Sequence, residues 1–288
     1  VRRHLEASPD PALPPLGSIR LVNLTVDQVA DWSAANERAL APTTAVIALI
    51  TLKQVCRFAV RRGWLAENPV LALEPGEKPR WRPGRVGVLE GRDLAKVLAN
   101  AGSHRPLFEF LAYTGLRIGE ALGLTWADVD FERNVIRVHW QLSRYGEHAH
   151  LKTEAANREV LLAPGMVRIL REQWLASRFK SADDFVFTAT TGRGHDYRHV
   201  GDAFRLAVKR AGLRGQGRLS LHSLRHGYAS LLISKRLDVV FVSRQLGHAN
   251  ANVTLSVYSH LFAQREHGEV ARQALEASYT EMREVGQL

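Results

Sequence analysis

The sequence has one cysteine, Cys56. An internal disulfide is therefore excluded, and the place of Cys56 on the apolar side of a helical pattern makes it a core residue, not a nucleophile. Long hydrophobic runs are missing too. The longest, such as Val46 to Ile50, stop far short of the roughly 20 residues that span a bilayer, and no apolar leader opens the chain. A soluble, cytoplasmic protein is expected. Low complexity and internal repeats are absent, and 45% hydrophobic against 24% charged residues is the composition of ordinary folded material. Acids are in the minority, 29 against 39 lysines and arginines, for a formal charge of +10. That excess favours a polyanionic partner, nucleic acid or an anionic membrane surface, without choosing between them.

The 288 residues suit two domains at about 150 residues each. Residues 1–17 carry Pro9, Pro11, Pro14 and Pro15 and read as an extended lead-in. Thr25 and Gln28 have the spacing of a capping box, opening a helix to about Ala35. Ala48, Leu52, Val55, Cys56 and Ala59 form one apolar stripe of a second helix, closed by Gly63 and the Asn68-Pro69 pair. Residues 18–73 thus read as a small all-helical unit. Residues 74–91, rich in proline and glycine and without an apolar period, read as an interdomain linker. Its cations Lys78, Arg80, Arg82 and Arg85, followed by Arg92, suit a strap across a phosphate backbone and equally a solvated linker. Residues 92–263 read as a second domain, mostly helical. Within it, residues 135–140 and 158–162 have strand character, giving a two- or three-stranded antiparallel sheet. The expected class is mainly α with a small antiparallel β-sheet.

Positive charge gathers between Arg193 and Arg218, seven cations with Arg198 among them against Asp196 and Asp202. Directly after comes a helix opened by Ser220, with Leu221, Leu224, Tyr228, Leu231 and Leu232 as its apolar stripe. His222 and Arg225 are about 60° apart on the helical wheel and share a face at the edge of that stripe. An imidazole beside a guanidinium near a helix N-terminus suits a phosphate. His222 and His226 also have the i, i+4 spacing of zinc ligands, but no glutamate follows the first histidine, and a lone cysteine cannot complete a structural site. No metal is expected. Arg117 and Glu120, three apart after the Thr114-Gly115-Leu116 turn, can pair; taken alone, such a pair is a surface salt bridge. His248 follows a helix closed by Gly247, and Tyr258 lies ten residues on; taken alone, the first is incidental and the second a core tyrosine.

Taken in order, Arg117, Lys152, His222, Arg225, His248 and Tyr258 with their neighbours resemble the tyrosine recombinase (phage integrase) family. The resemblance covers residues from about 20 to 265. It consists of Thr-Gly-Leu-Arg-x-x-Glu at 114–120, a hairpin lysine, His-x-Leu-Arg-His at 222–226, Leu-Gly-His at 246–248 and the tyrosine. It implies a helical core-binding domain, a basic linker and a mixed α/β catalytic domain. No separate arm-binding domain fits before residue 18.

The resemblance further implies a site-specific recombinase that cleaves and rejoins double-stranded DNA through a 3′-phosphotyrosine at Tyr258, with no cofactor. Arg117 and Arg225 would clamp the phosphate, Glu120 would support Arg117, and Lys152 would protonate the departing 5′-oxygen. His222 would assist proton movement at the tyrosine, and His248 would hydrogen-bond the phosphate. Lys78, Arg80, Arg82, Arg85, Arg193 and Arg198 are candidate DNA contacts. A homo-tetramer on paired sites is implied. Residues 264–288, with Val270, Ala274 and Ala277 at helical spacing, would dock on a neighbouring protomer or fold back in cis. Two alternatives stand beside this reading: a type IB topoisomerase-like enzyme and a catalytically inactive DNA-binding relative.

Overall fold

A computed structural model of the protein describes residue 10 and residues 14–80, 87–151, 156–213, 219–259, 272–273 and 275–277. The chain divides into two compact units, Val1–Gly84 and Arg85–Leu288, each described by itself.

In the first unit, α1 (Val26–Ala39) begins at the capping box that its sequence encodes. The Gln28 N–H donates to the Thr25 hydroxyl at 3.3 Å, and the Thr25 N–H donates to Gln28 Oε1 at 3.0 Å. The helix runs past its expected end at Ala35 because no glycine or proline interrupts it until Pro42. Pro42 forces the preceding residue out of helical geometry and opens α2 (Pro42–Arg61). Ala48, Leu49, Leu52 and Cys56 of α2 pack with Val29 and Trp32 of α1 and with Leu16, Val70 and Leu73. Leu16 is 6% exposed and opens a 3-10 turn. The lead-in expected for residues 1–17 therefore ends before it, since Leu16 belongs to the core. Burial pushes the Cys56 thiol up, in keeping with a core residue. Val55, expected in the stripe, faces outward.

By length and composition α2 is apolar enough to cross a bilayer, with a mean hydropathy of 1.4 over its best 18-residue window, of which 33% is buried. Single polar residues interrupt its apolar runs without reversing this average. The expected 74–91 linker is also shorter than its composition suggests. Ser33 Oγ donates to the Glu77 carbonyl at 2.8 Å, and the Arg80 N–H donates to the Glu37 carboxylate at 3.3 Å, which ties residues 74–80 to α1. Leu89 is in the core of the second unit. Arg82 and Arg85 lie outside the described residues.

The second unit contains α3 (Gly91–Ala99), α4 (Arg105–Thr114), α5 (Ile118–Leu122), α6 (Pro164–Ala176), α7 (Tyr197–Arg210), α8 (Leu221–Ser234), α9 (Val239–Leu246) and α10 (Ala251–Tyr258). Its strands are β1 (Val129–Asp130), β2 (Val135–Val138), β3 (Trp140–Leu142), β4 (His148–His150) and β5 (Arg158–Leu161). They form a three-stranded antiparallel sheet in the order β1-β2-β5 and a separate β3-β4 hairpin. The run 135–140, expected as one strand, breaks at His139 because its two halves take different partners, Arg158 opposite Val138 and His150 opposite Trp140.

Phe108 and Phe110 of α4, Leu170 of α6, Phe204 of α7, Leu224 of α8 and Ile136 of β2 make the centre of the core. Each such side chain contributes about 1.5–3 kcal/mol by leaving water. A second cluster, Tyr228, Ala229, Ile233, Val242, Leu246 and Tyr258, joins α8 to α9 and α10. This junction sets the geometry of the polar groups described next. The protein is mainly α with small antiparallel sheets.

Candidate active site

The end of α9 organises the site. Gly247 adopts φ 64°, the His248 N–H donates to the Ser243 carbonyl at 3.0 Å and the Gly247 N–H to the Arg244 carbonyl at 3.0 Å, which together make a Schellman cap. The next carbonyls along the chain are taken by guanidinium groups. Arg158 Nε donates to Gln245 O at 2.8 Å, Arg225 Nη2 to Leu246 O at 2.5 Å and Arg117 Nη2 to Gly247 O at 3.4 Å. Three like charges gather here because orphan carbonyls and the negative end of the helix dipole face them.

Glu120 supplies the compensating charge. It is 2% exposed, with Oε1 2.8 Å from Arg117 Nη1 and Oε2 2.9 Å from Arg158 Nη2. Burial alone would raise its carboxyl, but the Arg158 charge and hydrogen bond, followed by the Arg117 charge, hold it below the usual carboxylate range. The pair that in isolation reads as a surface salt bridge is thus a buried three-residue network. Arg158 was not singled out in the sequence. Its signal is an arginine two residues from the buried Val160 on β5, on the same face of the strand.

Arg225 is 2% exposed, and its Nη1 donates to the Gly115 carbonyl at 2.7 Å. Gly115 caps α4 at φ 65° with the Tyr228 ring against its Cα, so any side chain there would collide. Burial and the charge of Arg117 pull the Arg225 guanidinium down to about 9, which still leaves it charged at neutral pH. The helical wheel puts His222 and Arg225 together at the edge of the core. Instead Arg225 is inside and His222 is exposed, because α8 is covered on two sides and buries Ser223, Gly227 and Ser230 as well as its apolar stripe. Leu231, expected in that stripe, is 39% exposed.

Tyr258 ends α10 at 4% exposure, and its Oη lies 2.5 Å from Nδ1 of His226. Burial pushes the phenol up to about 12, against the lowering influence of Arg225. His226 meets His222 edge to face at 4.8 Å between ring centroids. Burial, with His222 and Arg225 nearby, holds His226 down to about 4. His248 Nδ1 is 2.8 Å from Thr254 Oγ1. Burial, Arg225 and Arg117 hold it down to about 4 as well.

Arg117, Glu120, Arg144, Arg205 and His222 line an open groove of about 740 Å³. Arg193 and Arg198 are exposed, as are Lys78 and Arg80 in the first unit. Lys152 lies outside the described residues, as do Val270 and Ala274 of the expected C-terminal stripe. Among the described residues no group of three or more His, Cys, Asp or Glu could hold a metal ion. What the site does offer is a phenol, fixed guanidinium forks and neutral imidazoles beside a basic groove, the equipment for stabilising negative charge on a phosphate.

The chain is 27% identical over 243 residues to a XerC-like tyrosine recombinase of Caldanaerobacter subterraneus, an alignment covering 75% of this chain and 61% of that one. It is 26% identical over 229 residues to the prophage integrase IntR of Escherichia coli, covering 72% and 54% respectively. The chain therefore spans less than two thirds of the length of either relative. Its fold is that of the Tn1549 transposon integrase, solved in complex with a circular intermediate DNA. The TM-score is 0.74 at 21% identity, over 88% of this chain and 86% of that one. The sequence pattern of the phage integrase family matches residues 89–265, more than half of the sequence, and the chain belongs to that family.

Proposed function

We propose that the protein is a site-specific DNA recombinase in which Tyr258 opens a DNA strand, holds it as a 3′-phosphotyrosine and reseals it to a new partner. The observation that carries this reading is the buried Tyr258 phenol, its hydroxyl on His226 and within the field of Arg225 in the same protomer, together with a groove lined by Arg117, Arg144 and Arg205. Storing the phosphodiester bond as a phosphoester makes breakage reversible with no external energy source. A phenol is a far better leaving group than an aliphatic alcohol, which suits the return step.

Negative charge develops on the non-bridging oxygens during in-line attack, and preorganised cations are the main means of stabilising it. Two of Arg225's donors are held by Gly115 and Leu246, which fixes the fork and leaves its other N–H groups for the phosphate. Arg117 is held in the same way by Glu120 and Gly247. In this reading Lys152 protonates the 5′-oxygen, His222 assists proton movement at the tyrosine and His248 hydrogen-bonds the phosphate. The cationic side chains do the work that two metal ions do in many nucleases. Double-stranded DNA would be gripped through Lys78, Arg80, Arg82, Arg85, Arg193 and Arg198 by two domains, 18–73 and 92–263, joined by the basic linker. Four protomers would assemble on paired sites, with residues 264–288 exchanged between neighbours.

A plasmid carrying two copies of a duplex selected by the protein from a random pool tests the proposal. Deletion or inversion between the copies in the presence of chelator is expected. Relaxation of supercoils without exchange would favour the type IB topoisomerase-like alternative, and binding without any strand breakage the inactive relative.

A further inference from the structure

We propose that His226 is a catalytic residue, the group that takes the proton from Tyr258 as the phenol attacks DNA and returns it on resealing. The inference deepens the recombinase reading and rests on it. Among the described residues, the hydrogen-bond partner of the Tyr258 hydroxyl is His226, with Nδ1 at 2.5 Å. The ring centroids are 5.6 Å apart at an interplanar angle of 57°. His222, to which the family resemblance gives the proton-moving role, is exposed and touches His226 edge to face; it is one step further from the phenol.

The step balances. The Oη–phosphorus bond forms as the phosphorus–O5′ bond breaks, and the Oη proton passes to the Nδ1 lone pair, leaving an imidazolium with its second proton on Nε2. The 5′-oxygen takes its proton from an acid, the role given to Lys152. On resealing, the 5′-hydroxyl attacks phosphorus and loses its proton to the lysine amine, while the imidazolium returns its proton to the departing phenolate. The charged and titratable groups facing His226 are His222 and Arg225 on its own helix and Tyr258 on α10. With His226 held down to about 4 and Tyr258 pushed up to about 12, the imidazole is neutral and the phenol protonated throughout the working range. At rest the proton therefore stays on the phenol, with the imidazole as its acceptor, and it crosses as the Oη–phosphorus bond forms and the bonded oxygen turns acidic. The negative phosphate brought in by DNA opposes the Arg225 charge and strengthens that base at the moment of attack.

The test uses the full chain and a duplex selected by the protein from a random pool, made with sulfur in place of the bridging 5′-oxygen so that no acid is needed for departure. The rate at which a denaturant-resistant protein–DNA adduct forms is read from pH 5 to 9. Wild type should be flat over that range. His226→Asn, which keeps an acceptor near the phenol but cannot take a proton, should be slower by roughly 10²-fold at pH 7. Its rate should rise about tenfold per pH unit as phenolate forms on its own. Fluorotyrosine at position 258, a more acidic phenol, should narrow the deficit. A His226→Asn rate within about threefold of wild type, or a slower rate with a flat profile and no gain from fluorotyrosine, would overturn the proposal. Nitrogen-15 NMR of the histidines in the free wild-type protein provides a check that needs no variant. Nδ1 of His226 should be unprotonated at neutral pH, and finding the proton there overturns the proposal. An absence of any wild-type adduct would instead sink the recombinase reading itself, and this inference with it.

Discussion

Arg158 and Glu120 are joined at 2.9 Å with side chains 6% and 1% exposed, and this pair connects β5 to α5 across 38 residues of sequence. The same guanidinium holds the Gln245 carbonyl, so one residue ties strand, helix and the end of α9 together. Arg117 and Arg225 are positioned by the framework that results.

Removing one partner of a buried ion pair leaves the other charge uncompensated at a cost of about 3–5 kcal/mol. Arg158→Met leaves Glu120 with Arg117 as a remaining partner and strips the Gln245 carbonyl of its donor, so it is expected to lower stability by up to about that amount, seen as a lower urea midpoint by tryptophan fluorescence. Glu120→Gln in the Arg158→Met background should cost further stability, since Arg117 then loses the carboxylate that still pairs with it. A midpoint unchanged in Arg158→Met would contradict the network.

The Glu120 carboxyl is held below its ordinary value of 4.5. Its stabilising contribution is present above that value and is lost as pH falls through the lower folded one. Below about pH 4.5 the wild type should lose stability more steeply than Glu120→Gln. Urea midpoints measured at falling pH check this.

The histidines act in a higher window. His226 and His248 are each held from 6.5 down to about 4, so the unfolded chain binds protons that the folded one refuses. Stability should be full above pH 6.5 and fall as the pH drops toward 4. Replacing His248 by Gln should flatten the slope there, as measured by midpoints at pH 7, 5.5 and 4.5. A parallel decline in wild type and variant would show that the imidazole is not refused its proton.

What was legible in the sequence and what was not divides along sequence distance. Arg117 and Glu120 are three residues apart and His222 and Arg225 likewise, so local spacing reveals them; His248 follows the helix stop visible as Gly247, and Tyr258 lies in a short apolar pattern ten residues on. Arg158 escapes because its partners Glu120 and Gln245 are 38 and 87 residues away. The β3-β4 hairpin escapes for a related reason. Nothing in the run 135–140 says that its two halves pair with different strands. The depth of Arg225 depends on α9 and α10 covering α8, which a one-stripe helical wheel cannot represent. His226 drew notice only as a rejected zinc ligand, since its partner Tyr258 is 32 residues on.

Gly247 offers a separate probe of the helix end. A Cβ there would stand 2.7 Å from Arg158 Nη1, at a backbone φ of +64°. Gly247→Ala should cost about 1–2 kcal/mol for the left-handed backbone alone, and more because Arg158 must move. Gly146→Ala, at φ +81° with nothing within 4 Å, measures the backbone cost by itself. The Gly247 variant should be the less stable of the two in urea; equal losses would mean that Arg158 yields freely.

The central claim is that the Tyr258 oxygen becomes bonded to DNA phosphorus with cationic side chains in place of a metal. The direct measurement is peptide mass spectrometry of the denaturant-resistant adduct formed on a nicked, protein-selected duplex in the presence of chelator. A nucleotide-bearing Tyr258 is expected in wild type, with no adduct in Tyr258→Phe. Attachment at another residue, an adduct that persists in Tyr258→Phe, or a strict need for added magnesium would contradict the account.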